Sequence, residues 1–273
     1  MDVEIQELHH SYPGGVEALR GVSLRVASGE RVAIVGQNGA GKTTLVKHIN
    51  GLLKPTSGRV LVGGWDTQEH PVGELAARAG YVFQDPDIQL FSSTVQEELE
   101  FGPKNVGCSP EDVERNVALA LEVTGLENHR STNPYDLSPS WRKLIAVASV
   151  IAMDTEILIL DEPTTGQDAV TIAKMAAIIE ELNRRGKTIL AITHDIDFAA
   201  ENFGRLIAMA MGTVLLDGPT KEVVGEHQIL AKTYVEPPQL TRLGNELGLS
   251  GPVFDEDEFL DAIRKKRADQ VPG

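Results

Sequence analysis

Apolar residues cluster in short, dense runs. Arg31-Val-Ala-Ile-Val35 and Glu156-Ile-Leu-Ile-Leu160 are β-branched or leucine-rich, and each ends at a glycine-rich or acidic loop, as strands buried on both faces do. A third run, Thr188-Ile-Leu-Ala-Ile-Thr193, follows a helical pattern from about Ala169 to Arg185 and a turn at Gly186-Lys187. Strand, helix, strand in that order predicts a parallel sheet. Between about residues 86 and 150 the strand pattern fades. Pro110 opens a helix that runs to Thr124 with Gly125 as its stop, so a helical subdomain inserted into an α/β core is expected. Beyond His194, Leu206 to Met211 and Thr213 to Leu216 read as an antiparallel pair turning at Gly212. From about Gly225 the pattern loosens through Pro237-Pro238 to the acidic run Asp255-Glu-Asp-Glu258. The expected division is therefore one domain over 1–225 and an extension over 226–273.

Composition narrows the class. A chain of 273 residues builds one large α/β core, and no apolar run approaches the roughly 20 residues that span a bilayer. The start MDVEIQELHH lacks the basic and apolar stretches of a secretory signal, and Cys108 is the sole cysteine, so a cytosolic chain without disulfides is expected. The net charge of −15 repels a phosphate backbone and argues against nucleic acid as a partner.

The first candidate chemistry lies directly after the first run. Gly36-Gln-Asn-Gly-Ala-Gly-Lys-Thr43 fits the pattern G-x-x-x-x-G-K-[ST] and leads into a helical stretch from Thr44 to Asn50. In such a loop the glycines let backbone N–H groups turn inward on phosphates, and the helix adds its positive N-terminal end. Gly36, Asn38, Gly39, Ala40, Gly41, Lys42, Thr43 and Thr44 are the expected nucleotide contacts. Lys42 is expected on the β- and γ-phosphates, and the Thr43 hydroxyl on Mg²⁺. The second run delivers Asp161 and Glu162 side by side at its carboxyl end, where α/β sheets put ligands. Asp161 is expected to orient Mg²⁺ or its water shell, and Glu162 to polarise an attacking water.

With both motifs in place the chain resembles the ABC ATPases. Asp161-Glu-Pro-Thr-Thr-Gly-Gln-Asp168 is similar to that family's Walker B and D-loop sequence, and the likeness covers most of residues 3 to 225. It implies an ATP- and Mg²⁺-dependent ATPase with a P-loop core, a mostly parallel sheet, an N-terminal antiparallel β region, an inserted helical subdomain and a small C-terminal extension. By the same likeness, Gln84 matches the Q-loop glutamine that senses the γ-phosphate and, with Thr43 and Asp161, serves the metal. His194 matches the switch histidine that contacts the γ-phosphate and Glu162, Tyr12 lies where an aromatic stacks on adenine, and Asp168 closes the D-loop. His9 and His10 gain no assignment.

One motif departs from the family. Where it has Leu-Ser-Gly-Gly-Gln, this chain reads Leu137-Ser-Pro-Ser-Trp141. The family's motif reaches across a dimer to the γ-phosphate on the other subunit. Ser138 keeps its hydroxyl for that role and for capping a helix, with Pro139 suited to the first helical position. Pro139 has no N–H to donate, however, and losing one charge-assisted hydrogen bond costs about 1.5–3 kcal/mol, a factor of roughly 10 to 150 if it acts only in the transition state. Two arrangements follow: an asymmetric pair with a second ATPase carrying an intact signature, or a homodimer with two weakened sites.

Phe83-Gln-Asp-Pro-Asp-Ile-Gln89-Leu-Phe, Phe101-Gly-Pro and Glu236-Pro-Pro-Gln-Leu-Thr-Arg-Leu further resemble the ATPases of energy-coupling factor and cobalt/nickel importers. That resemblance implies a peripheral subunit on the cytoplasmic face of the membrane, partnered by a second ATPase, a transmembrane coupling protein and a substrate-binding membrane protein. It also implies that Gln89 belongs to a short coupling helix. A soluble ABC protein acting outside transport, or a nucleotide-binding regulator with little hydrolysis, are the alternatives. The stretch 251–273 carries no assigned chemistry.

Overall fold

The computed structural model describes residues 1–269; the last four positions of the expected extension lie outside the described residues. In chain order the elements are β1 (Val3–Ser11), β2 (Glu17–Val26), β3 (Arg31–Val35), α1 (Lys42–Ile49), β4 (Ser57–Val62), β5 (Trp65–Asp66), α2 (Val72–Ala76) and β6 (Ala79–Val82). A one-turn 3-10 helix at Pro86–Ile88 leads to α3 (Val95–Asn105), α4 (Pro110–Thr124) and α5 (Pro139–Ile151). β7 (Ile157–Asp161), α6 (Ala169–Arg184), β8 (Thr188–Thr193), α7 (Ile196–Asn202), β9 (Arg205–Ala210) and β10 (Thr213–Pro219) complete the core. After them come α8 (Thr220–Gly225), α9 (His227–Leu230), α10 (Gln239–Glu246) and α11 (Glu256–Asp269).

Two sheets form. β2-β1-β4-β5 is antiparallel, and the six-stranded sheet has the order β10-β9-β3-β8-β7-β6, parallel except for the β9–β10 pair. The continuous apolar runs have a direct cause: successive side chains of each central strand feed opposite faces. Ala33, Val35, Leu158, Leu160, Ile189 and Ala191 join the core under the helical subdomain and α6. Val32, Ile34, Ile157, Ile159, Leu190 and Ile192 join the core under the antiparallel sheet and α1. With both faces covered, no polar alternation survives.

The strands at Arg31–Val35 and Thr188–Thr193 fall where the sequence puts them, and β7 starts one residue later than expected. α4 begins at Pro110 behind the Ser109 cap and ends at Gly125 in a left-handed conformation, as read. β6 escaped notice because Ala79-Gly-Tyr-Val is only four residues long and carries a glycine. α11 turns the acidic run and Arg264-Lys-Lys-Arg267 into one largely exposed helix, with acids in its first turn and bases in its last, which suits the helix dipole. The extension does not stand apart: Leu230, Val235 and Phe254 join the larger core, and the Thr233 carbonyl accepts a hydrogen bond from the Gln37 N–H in the phosphate loop, 3.0 Å.

Candidate active site

Four adjacent parallel strands end on one edge of the sheet. β3 exits into Gly36, β8 into His194, β7 into Glu162 and β6 into Phe83-Gln84, and their registers align Val35 with Thr193, Asp161 with Ile192, and Val82 with Leu160. The edge opens into a cavity of about 640 Å³ whose lining includes Tyr12, Asn38, Gly39, Ala40, Gly41, Lys42, Thr43, Thr44, Gln84, Glu162, Thr165 and His194. Sequence separations of more than a hundred residues thus collapse into one wall, because parallel order puts every strand's carboxyl end on the same side.

The phosphate loop needs glycine where it meets the rest of the fold. At Gly36 (φ 150°) a Cβ would come within 2.2 Å of the Met209 carbonyl oxygen, and at Gly41 (φ 102°) within 2.7 Å of the Ala18 carbonyl oxygen. Gly41 is also the residue before α1, so the helix's free N–H groups face the cavity. The Lys42 ammonium donates to the Gly36 carbonyl at 2.6 Å and the Gln37 carbonyl at 3.2 Å, bridging the loop from within. Burial pushes its pKa down, against the raising pull of Glu162 and Asp161.

Asp161 is buried behind the cavity wall. Its Oδ2 accepts a 2.5 Å bond from the Tyr81 hydroxyl, and its Oδ1 lies 3.5 Å from the Thr43 hydroxyl. Burial raises the Asp161 pKa, the Tyr81 bond lowers it, and Glu162 raises it again. Burial, and then the Asp161 charge, push the Tyr81 phenol upward, so it stays a donor. The carboxylate is therefore fixed by one oxygen and turns the other toward Thr43. Those hard oxygens suit Mg²⁺, which takes one or two carboxylates and completes its shell with water and substrate phosphates. No cluster of three His, Cys, Asp or Glu that could hold a metal occurs among the described residues.

Glu162 stands in a left-handed backbone conformation, φ 47°, rare for a residue with a side chain, and its N–H donates to the Ile192 carbonyl at 2.8 Å. That turn aims the carboxylate away from the strand. Its Oε2 accepts from His194 Nδ1 at 2.8 Å and lies 3.3 Å from the His194 N–H and from the Thr165 hydroxyl. A carboxylate only accepts, so Nδ1 carries the hydrogen and Nε2 is left for another partner.

Tyr12 lies at the cavity's other end, its hydroxyl 3.1 Å from the Thr44 hydroxyl and its ring edge-on to His10 at 4.7 Å. Ser138 and Asp168 do not line the cavity. Ser138 occupies the cap position of α5 with Pro139 first in the helix, as expected, but its hydroxyl makes no capping bond. Asp168 caps α6 through the Thr171 N–H, 2.7 Å, and accepts from the Ser140 hydroxyl of the same chain at 3.4 Å. Trp141 packs against His129 at 4.8 Å and lies under the Lys174 ammonium at 5.0 Å.

Several groups at the site went unread in the sequence. No spacing rule links Tyr81 to Asp161, 80 residues away. Lys143 is 1% exposed, and its ammonium donates to the carbonyls of Phe83, Gln84 and Asp161; the sequence shows it only as the second of two basic residues, Arg142-Lys143, ahead of the apolar run from Leu144. Burial lowers its pKa to about 8, with Asp161, Glu162 and Asp85 pulling the other way. His10, left without a role, is buried with its Nδ1 3.1 Å from His48 Nε2. Gln89, by contrast, is expected in a short helix; it caps the 3-10 turn at Pro86–Ile88, and its side chain accepts from the Phe83 N–H and donates to the Ala146 carbonyl and the Ser149 hydroxyl.

A phosphate loop after one strand, a paired acid after another and an inserted helical subdomain define a P-loop ATPase of the ATP-binding cassette class. The ABC transporter family model matches residues 19–165. The chain belongs to that family, as one of its ATP-hydrolysing subunits. It is 38% identical over 251 residues to the energy-coupling factor transporter ATP-binding protein EcfA of Methanothermobacter thermautotrophicus, covering 91% of this chain and 81% of that one. A putative ABC transporter ATP-binding protein of Methanosarcina acetivorans is 40% identical over 95% of this chain, which spans only 44% of that relative's length. The solved structure of cbiO1 from Clostridium perfringens, described as part of the ABC transporter complex cbiONQ, superposes with a TM-score of 0.77 at 35% identity, covering 90% of this chain and 98% of that one.

Proposed function

We propose that this chain is the Mg-ATP-hydrolysing subunit of an importer of the energy-coupling factor type. The observation that carries the reading is the Glu162–His194 contact of 2.8 Å at the rim of the P-loop cavity, with Asp161 turned toward Thr43 beneath it. Thr43, Asp161 and Gln84 would hold Mg²⁺, which would offset phosphate charge. Lys42 would leave its loop carbonyls for the β- and γ-phosphates, Tyr12 would stack on adenine, and Glu162 would polarise the attacking water while His194 fixes its carboxylate. Phosphoryl transfer needs chiefly this positioning and charge stabilisation.

Membrane coupling is supported by the segment after Gln84. Ile88, Phe91 and Phe101 are exposed, the two phenylalanine rings meet edge to face at 4.7 Å, and Gln89 anchors their segment to α5. No helix among the described residues is long and apolar enough to cross a membrane, so the segment would dock a separate transmembrane protein. Ser138 and Asp168, outside the cavity of their own chain, suit roles across a dimer. The departure at Pro139 to Trp141 favours pairing with a second ATPase whose signature is intact. Such a pair would close on ATP and reopen after hydrolysis.

Purification of the tagged full chain from its native host in mild detergent, with mass spectrometry of what accompanies it, tests the proposal. A second ATPase carrying Leu-Ser-Gly-Gly-Gln and a multi-helix membrane protein are expected. A membrane protein without a second ATPase would establish the homodimer, and the absence of any membrane protein would overturn the transport role.

A further inference from the structure

The parallel ladder between β6 and β7 ends at the pair Val82–Leu160. Just beyond it the two backbones part, one toward Gln84 and the other toward Asp161 and Glu162, and their carbonyls need donors that no neighbouring strand supplies. The Lys143 ammonium fills this fork. It donates to the carbonyls of Phe83 at 3.0 Å, Gln84 at 2.9 Å and Asp161 at 3.3 Å, three bonds for its three hydrogens.

Lys143 also sits one turn into α5, the helix that opens with Ser138 to Trp141. Other contacts join α5 to the same segment: Arg142 to Asp87 at 3.1 Å, and Gln89 to the Ala146 carbonyl and the Ser149 hydroxyl. Of these described bonds, only those of Lys143 reach β7 as well. An ammonium suits this fork because it supplies three hydrogens, one for each of the three carbonyls, where a neutral amide supplies two.

We propose that Lys143 is a positioning residue of the ATPase reaction, tying the backbone at Phe83–Gln84 and at Asp161 to the signature helix so that Gln84 and the acid pair face the phosphate loop together. It touches no reacting atom. The inference rests on the roles given above to Gln84, Asp161 and Glu162. With the tie in place, a shift of α5 or of the segment 83–89 is felt at the acid pair without passing through the phosphate loop, to which Lys143 donates no hydrogen bond.

The test uses the full chain, purified with whatever it assembles with, carrying Lys143→Met, Lys143→Gln or, as a control, Glu162→Gln. Methionine keeps the length and removes every donor; glutamine keeps two. Lys143→Met is expected to lower kcat about 10- to 100-fold while KM for ATP and metal-free nucleotide binding change less than about threefold. Amide hydrogen exchange should quicken at 83–89 and not at 36–43, and Lys143→Gln should recover part of kcat. Unchanged kcat in Lys143→Met beside an inactive Glu162→Gln overturns the proposal alone. So does a loss of kcat with exchange raised throughout the chain, or one that glutamine does not relieve, since either marks a packing role only. An active Glu162→Gln overturns the reading of the acid pair, and this proposal with it.

Discussion

Acid should loosen the protein from beneath the phosphate loop, through His48. This residue lies on α1, fully buried, with Nδ1 2.7 Å from the Thr44 carbonyl and Nε2 3.1 Å from His10 Nδ1. Nδ1 must carry the hydrogen to bond Thr44. His10 Nδ1, which also lies 3.2 Å from the Lys54 carbonyl, supplies the hydrogen that Nε2 accepts. Protonating His48 would set two N–H groups against each other and strip His10 of its bond to Lys54 or to His48. Burial accordingly lowers the His48 pKa from 6.5 to about 4, with His10 lowering it further and the Thr44 and Lys54 carbonyls opposing.

Folded His48 is neutral over a range in which the unfolded chain binds a proton. Stability from this group is therefore intact above pH 6.5, falls as pH drops toward about 4, and changes no further below. The full loss is about 3 kcal/mol. Urea unfolding of the wild type and of His48→Leu between pH 7.5 and 4 isolates it. Leucine gives up the hydrogen bonds at every pH but cannot titrate, so the stability difference in favour of the wild type should shrink by about 3 kcal/mol across that window. Parallel curves over the whole range would refute the reasoning.

Glu162→Gln keeps the size and the approach to His194 but cannot take a proton; turnover should fall roughly 10²- to 10⁴-fold with nucleotide affinity nearly unchanged, and a loss below about tenfold in single-turnover assays would remove Glu162 as base. The triple change Pro139→Gly, Ser140→Gly and Trp141→Gln should raise turnover by roughly 10- to 150-fold if one charge-assisted bond is what the departure costs, and unchanged turnover would clear the signature of blame. The same variant should melt lower, because it gives up the contacts of Trp141 with His129 and Lys174.

By itself the sequence determined whatever depends on local spacing. The runs at 31–35, 156–160 and 188–193 read as strands covered on both faces, the second displaced by one residue from β7, and Gly36 to Thr43 reads as a sharp turn into a helix. Those features mark the phosphate loop and the acid pair, because both follow runs that local spacing shows as strands; Gln84 follows β6, which spacing does not show, and it is reached only through the family resemblance. Tertiary structure decided the rest. That Tyr81 holds Asp161, that Lys143 spans two strands from a third element, that Gln89 reaches Ser149 and that His10 meets His48 all depend on strand order and helix seating. No local pattern records such contacts: a buried polar group is identified by the partner that satisfies it, and here that partner lies 38 to 80 residues away for three of the four contacts. The Ser138 to Trp141 stretch divides the same way. Its missing donor at Pro139 is plain in the sequence, while the packing of Trp141 against His129 and the Ser140 bond to Asp168 exist only once α5 is docked against its neighbours.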